Sequence, residues 1–258
     1  MRSVGLDIGS RTIGMVELAD GRMVASQVVL TGVNPLERCR QLLDGREAEV
    51  LVATGYGRHL VAEHLGAEVI SEIQAHAQGA RCLYPDVRTV IDVGGQDSKA
   101  MALTPQGRVL KFEMNDRCAA GTGRFLETMA QALGLTVEEF GDFALGAAGP
   151  SIKISSMCTV FAESEVVSLL ARNQDGRRIA LGLHEAIVDR LATLVRRVGC
   201  QERLVFSGGV ALNRGVVKLL GERLGIPPTV PPQPQLIGAL GAALSAGKSN
   251  NVESLNKV

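Results

Sequence analysis

IDVGGQDSKA, residues 91–100, reads as an apolar strand that reaches Asp92, turns on Gly94-Gly95 and leaves as a second strand. GLDIGSRT, residues 5–12, has the same construction, with Asp7 ending an apolar run and Gly9-Ser10 in the turn. Glycine lets a backbone approach phosphate oxygens closely, and the N–H groups of a turn donate to them. An aspartate at such a strand end can hold Mg²⁺, through water, because Mg²⁺ keeps much of its hydration shell. Either stretch alone is equally an ordinary hairpin with an acidic turn residue. Two copies, 85 positions apart (92 − 7), are hard to explain as chance turns and read as a duplicated domain. That separation is far beyond the ~20–50 residues of a solenoid repeat. Facing each other, the two loops would clamp the β- and γ-phosphates of a nucleotide with the metal between them. No GxxxxGK[ST] stretch occurs, which disfavours a P-loop protein.

A third element, VFSGGVALN at 205–213, reads as strand, Gly208-Gly209, then helix. Its glycines would let an adenosine pack against the backbone with the helix start facing the nucleotide, although such a corner also serves plain packing. GALGAAL at 238–244 is a small-residue helix face suited to close helix approach.

Working outward, periodicity predicts strands at 2–8, 11–18, 22–30, 49–53 and 67–70, with helices at 35–44, 58–65 and 72–83. The pattern then restarts with strands at 88–93, 97–103 and 107–114. Helices follow at 119–133, 136–145, 159–173 and 178–198, then a strand at 203–207 and helices at 210–224 and 236–246. The expected division is a first domain over 1–86, a second over 87–247 and a polar tail over 248–258. The Pro-rich run at 227–234 is short enough to be a connection within a domain.

Hydrophobic residues make up 46% of the 258 positions, enough for a sizeable core. Lys plus Arg total 27 and Asp plus Glu total 27, so no basic excess exists to drive nucleic-acid binding. Aromatics are 3% and Trp is absent, which argues against base-stacking platforms. No apolar run is long enough for a membrane helix. The N-terminus lacks an apolar signal core, so a cytoplasmic location is expected.

Five cysteines occur, at 39, 82, 118, 158 and 200. Cys39, Cys82 and Cys200 lie in amphipathic or apolar stretches and read as small buried thiols. Cys118, in MNDRCAAGTGRFLE, and Cys158, in SSMCTVFAESEVVSLL, each read as standing just ahead of a helix. Neither has a second cysteine at metal-ligand spacing. A cubane iron–sulfur cluster is usually held by four thiolates, so two per chain supply half a set, which a two-fold dimer would complete. The histidines at 59, 64, 76 and 184 lie on helical patterns and read as structural. Glu163 and Glu165 read as complements to a helix N-terminus.

The two strand–turn–strand motifs, the SGG corner and the small-residue C-terminal helix, in this order, resemble the actin, Hsp70 and sugar-kinase ATPases. With the two cysteine segments and IDVGGQDSK, the chain is similar over about residues 3–247 to the activator family of 2-hydroxyacyl-CoA dehydratases, to which ATPase subunits of benzoyl-CoA reductases also belong. Gln96-Asp97 departs from the wider superfamily and matches the activators.

That resemblance implies an α/β fold of two ribonuclease-H-like domains around a nucleotide cleft. It implies ATP or ADP with Mg²⁺, bound through Gly9, Ser10, Arg11, Thr12, Gly94, Gly95, Gln96, Asp97, Lys99, Gly208, Gly209 and Asn213. Asp7 and Asp92 would hold the metal through water, and with Gln96 they are the catalytic candidates. It implies a homodimer with one [4Fe–4S] cluster, ligated by Cys118 and Cys158 of each chain. ATP hydrolysis would drive a low-potential electron, supplied by a ferredoxin or flavodoxin, onto a cluster-bearing dehydratase or reductase. Two rivals share the fold: a small-molecule kinase, which needs no iron, and an actin-like ATP-binding regulator, which would assemble without electron transfer. Brown colour after anaerobic purification separates the first, and filament formation on ATP addition identifies the second. The TGYGR stretch at 54–58 is expected to shape the interdomain cleft.

Overall fold

The computed structural model of the chain describes residues 1–156 and 158–246; the polar tail expected at 248–258 lies outside the described residues. The chain forms two compact units. One holds Met1–Val87, Thr104–Val109 and the segment from Gln235; the other holds Arg88–Leu103 and Leu110–Pro234.

The first unit contains β1 (Arg2–Ile8), β2 (Thr12–Ala19), β3 (Arg22–Leu30), α1 (Pro35–Leu43), β4 (Val50–Gly55), α2 (Arg58–Leu65), β5 (Glu68–Val69) and α3 (Glu72–Leu83). Its strands lie in the order β3-β2-β1-β4-β5. β1, β2 and β3 are antiparallel neighbours, while β4 runs parallel to β1 and β5 parallel to β4. Side chains alternate across a strand, and β1 uses both faces. Val4, Leu6 and Ile8 join Cys39 and Leu42 of α1 and Val61 of α2 in one cluster. Ser3, Gly5 and Asp7 face the other way.

That second face is covered from the far end of the chain. The helix α9 (Ile237–Ser245) packs on β1, β2, β4 and α3. Ser3 Oγ donates to the Ala243 carbonyl at 3.0 Å. A Cβ on Gly5 would stand 2.0 Å from the Ala239 carbonyl oxygen, and one on Gly241 would stand 1.7 Å from that of Ala75. The small-residue face of α9 thus lets its backbone lie directly on β1 and α3. The sequence reading put 87–247 in one domain; α9 belongs instead with the first sheet, because these glycine contacts fix it there.

The second unit contains β6 (Thr89–Val93), β7 (Ser98–Leu103), β8 (Val109–Asn115), α4 (Gly123–Ala132), α5 (Val137–Leu145), α6 (Thr159–Ala171), α7 (Gly176–Val198), β9 (Leu204–Ser207) and α8 (Arg214–Leu224). Its strand order, β8-β7-β6-β9, repeats the β3-β2-β1-β4 order of the first sheet. β6 is antiparallel to β7 and parallel to β9, as β1 is to β2 and β4. Ile91, Val93, Leu204 and Phe206 pack against Phe125 of α4, Phe140 of α5 and the apolar stripe of α7. That stripe, Ile179, Leu183, Ile187, Leu191 and Val195, recurs every fourth residue, as a helix with one buried face requires.

The Pro-rich run stays inside this unit. Thr229 exchanges backbone hydrogen bonds with Leu204 and Phe206 at 2.8 and 2.9 Å. Two expected helices differ. The one expected from 119 starts at Gly123, and the one expected over 210–224 is a 3-10 turn over Gly209–Leu212 followed by α8. Asn213 makes the break: its side chain accepts from the Val216 N–H at 3.0 Å and starts α8 afresh.

Candidate functional site

The two expected phosphate loops are the same turn built twice. The Gly9 N–H donates to the Thr12 carbonyl at 3.0 Å, and the Gly94 N–H donates to the Asp97 carbonyl at 3.0 Å. Ser10 and Arg11 form one tip; Gly95 and an exposed Gln96 form the other. Loop 1 is braced by Thr31, whose hydroxyl donates to the Gly9 carbonyl at 2.8 Å and whose N–H donates to that of Arg11 at 3.0 Å.

The duplication extends to the parallel neighbour strands. Asp7 lies beside Thr54, and Asp92 beside Ser207. Each hydroxyl residue is followed by a glycine in the left-handed region, Gly55 at φ +85° and Gly208 at φ +87°. A Cβ on Gly55 would meet Asp7 Oδ1 at 2.6 Å, and one on Gly208 would meet Asp92 Oδ1 at 2.8 Å. TGYGR is therefore the first unit's counterpart of the SGG corner. The shared pattern of a hydroxyl residue followed by a left-handed glycine was available in the sequence as T-G and S-G, but two letters carry no weight alone.

The two carboxylates are held differently. Lys99 Nζ lies 3.4 Å from Asp92 Oδ2 and 2.8 Å from Asp97 Oδ2, with 3% of its side chain exposed. Ser207 Oγ stands 3.2 Å from Asp92 Oδ1 as donor. Lys99 thus draws together the strand end and the loop, and its ammonium is committed to two carboxylates. Asp7 has instead a histidine partner, His76 Nε2, 3.5 Å from its Oδ2.

In the SGG corner, Gly208 donates its N–H to the Pro234 carbonyl at 2.9 Å. Asn213 is buried: besides capping α8, its Nδ2 donates to His184 Nε2 at 3.2 Å. His184 Nδ1 lies 2.8 Å from the Ala180 carbonyl and must donate to it. The ring is therefore the neutral tautomer. Burial drives its pKa below the ordinary 6.5, more than the bonds to Ala180 and Asn213 raise it. Asn213 and His184 stitch α5, α7 and α8 together, and the Phe140 ring packs edge-on against His184 at 4.5 Å.

The cysteines divide as follows. Cys158 is exposed and occupies the cap position of α6, as expected. Cys118 is half-buried and lies five residues before α4, not immediately ahead of it; Ala119–Thr122 intervene. Asn115 Nδ2 donates to the Cys118 and Ala120 carbonyls at 3.0 and 3.1 Å and folds that segment. Glu165 does not complement the start of its own helix. Its carboxylate accepts from the Ser155 N–H, the Ser155 hydroxyl and the Ser156 N–H at 2.8–3.3 Å, holding the segment that leads to Cys158. Burial raises its pKa, but these bonds outweigh that and leave it lowered. Cys39 is buried and its thiol is pushed up to about 11 by desolvation, in keeping with a packed thiol. Cys200 is half-buried, and Cys82 is exposed, unlike the sequence reading.

The Cys118 segment and loop 2 are joined. The Gly123 and Arg124 N–H groups, the first of α4, donate to the Gly94 and Gly95 carbonyls, both at 2.9 Å. Gly123 allows this approach, since a Cβ there would stand 3.1 Å from the Gly94 oxygen. α4 and α6 pack on each other, so both cysteine segments belong to one body with loop 2. Among the described residues no three His, Cys, Asp or Glu side chains gather to hold a metal within the chain, and no helix is long and apolar enough to cross a membrane.

Several known proteins share this construction. The 2-hydroxyisocaproyl-CoA dehydratase activator of Clostridioides difficile is 42% identical over 255 residues, 95% of each chain. The solved structure of the activator of 2-hydroxyisocaproyl-CoA dehydratase from Clostridium difficile, with bound ADPNP, superposes with TM-score 0.88 at 40% identity, covering 100% of this chain and 99% of that one. A ROK-family glucokinase from Streptomyces griseus, in complex with glucose and AMPPNP, shares the fold alone, at TM-score 0.54 and 15% identity over 96% of this chain and all of its own. The description BadF/BadG/BcrA/BcrD ATPase family matches residues 4–246, and the chain belongs to that family.

Proposed function

We propose that this ATPase is the activator of an iron–sulfur dehydratase acting on a 2-hydroxyacyl-CoA: it binds ATP·Mg²⁺ and couples hydrolysis to delivery of one low-potential electron. Loops 1 and 2 bind the phosphates, Asp7 and Asp92 hold Mg²⁺ through water, and Gln96 orients the attacking water. Positioning and charge neutralisation supply most of the catalysis in phosphoryl transfer. The observation that carries the coupling is the pair of 2.9 Å bonds from Gly123 and Arg124 to the loop-2 carbonyls. Whatever moves Gly94 and Gly95 pulls the start of α4.

Cys118 and Cys158 fit a thiolate-held cluster. Cys158 heads a helix whose first N–H groups favour negative charge, and Asn115 and Glu165 hold the two segments in place. When bound, a [4Fe–4S] cluster supplies a one-electron site. Two thiolates per chain call for a homodimer. Val160 and Phe161, next to Cys158, are 67% and 65% exposed, apolar surface that a second copy would cover. The partner is a cluster-bearing dehydratase, or a related reductase component, and the donor a ferredoxin or flavodoxin, all in the cytoplasm. Anaerobically purified protein should bind four irons per dimer. Cys118→Ala and Cys158→Ala should lose the iron and the visible absorption, and Cys39→Ala, Cys82→Ala and Cys200→Ala should keep both. Full iron in Cys158→Ala would sink the ligand assignment.

A further inference from the structure

We infer that His76 is the positioning residue for Asp7: it pins the carboxylate that loop 1 offers to the nucleotide-bound metal. The inference rests on the reading of loop 1 as a phosphate and Mg²⁺ site. His76 is buried, 4% exposed, on α3, and its Nε2 lies 3.5 Å from Asp7 Oδ2. Two glycines stand close against the pair. A Cβ on Gly238 of α9 would fall 2.1 Å from Asp7 Oδ2 and 2.9 Å from His76 Nε2. On the other side, a Cβ on Gly55 would fall 2.6 Å from Asp7 Oδ1. α9 and the turn at Gly55 thus approach this carboxylate too closely for a side chain at either glycine.

The need for a pin follows from the side chain. The terminal torsion of aspartate is broad and roughly two-fold, so a carboxylate without a directed partner rotates. Asp92 is fixed by Lys99 and Ser207; Asp7 has no ammonium against it among the described ion pairs. The His76 ring presents Nε2 to Oδ2 at 3.5 Å and so leaves Oδ1 oriented for the metal. A residue acting through a ligand in this way typically costs 10–100-fold when removed.

The test uses the intact protein and measures ATP hydrolysis against Mg²⁺ concentration, together with equilibrium binding of Mn²⁺ in the presence of a non-hydrolysable ATP analogue, which His76→Asn should weaken and His76→Gln should restore. His76→Leu and His76→Asn, which cannot donate from the Nε2 position, should slow turnover roughly 10-fold or more and raise the half-saturating Mg²⁺. His76→Gln places an amide N–H near the Nε2 position and should recover most of both. In an Asp7→Asn background, His76→Asn should add no further loss. If His76→Leu does not fold, Asn against Gln decides. Equal rates and Mg²⁺ requirements for the two would overturn the inference, as would multiplicative losses in the Asp7→Asn double variant. Wild-type turnover in Asp7→Asn alone would instead remove loop 1 from the metal site, a failure of the underlying reading that is recognisable without any His76 variant.

Discussion

At the scale of single residues, burial makes two side chains sensitive in opposite ways. His184 is neutral in the fold, and desolvation holds its pKa below 6.5. Unfolding returns it to the ordinary value, so the unfolded chain takes up the extra proton. The contribution is whole above pH 6.5 and is lost as pH falls from there toward the folded value. Thermal melts should therefore lose Tm below about pH 6.5, and His184→Gln, which has no proton to take up, should show a shallower acid slope over that range. Lys99 is the reverse case, a cation kept charged between Asp92 and Asp97. Lys99→Met leaves Asp92 buried without its counter-charge. Removing one partner of a buried pair costs about 3–5 kcal/mol, so the urea midpoint at pH 7 should drop accordingly. A midpoint unchanged from wild type would mean that water already screens the pair. The cost belongs to Asp92 more than to Asp97, whose side chain is 27% exposed.

Elements repeat where residues do not. The two sheets share a strand order and the same acidic strand end backed by a left-handed glycine, although T-G-Y-G and S-G-G-V have little in common as letters. A side chain at either glycine meets both a disfavoured φ and a carboxylate oxygen. Gly55→Ala and Gly208→Ala should each cost about 1–3 kcal/mol from backbone conformation, with ATP hydrolysis reduced as well, because the methyl displaces Asp7 or Asp92. Gly66→Ala, at φ +69° with nothing within 4 Å of the added methyl, carries the conformational cost alone and should hydrolyse ATP normally. Strands and helices were legible in the sequence because apolar periodicity tracks burial. Both glycine turns, the cap at Cys158 and the close packing of α9 could be read the same way. What escaped was long-range. Nothing local to Q-A-H-A-Q-G or GALGAAL says that His76 and Gly238 converge on Asp7. A glutamate such as Glu165 can satisfy a loop ten residues back as readily as its own helix start. Asn213, expected as a nucleotide contact, is also a helix cap, a second role that its place at a strand–helix corner allows.

For the whole molecule, the first unit is built from both ends of the sequence, and the second from a nearly continuous middle. A chain ending at Pro234 should keep the second unit, with the core of α4, α5, α7 and β9 intact. It should lose the first, because Gly5, Asp7 and Ala75 would have no α9 against them. Limited proteolysis of that chain should spare residues 110–234 and cut within 1–87; equal resistance of both stretches would contradict this division. The same arrangement sets a timetable for the chain as it is made. Ala239 is synthesised 232 positions after Asp7 (239 − 7). At about 5–20 residues per second, the face of β1 that carries Asp7 waits on the order of ten to fifty seconds for its covering helix. For that interval the nascent protein offers a half-dressed sheet to whatever waits at the ribosome exit. Its vulnerability in the cell is thus set by the speed of translation as well as by the finished structure.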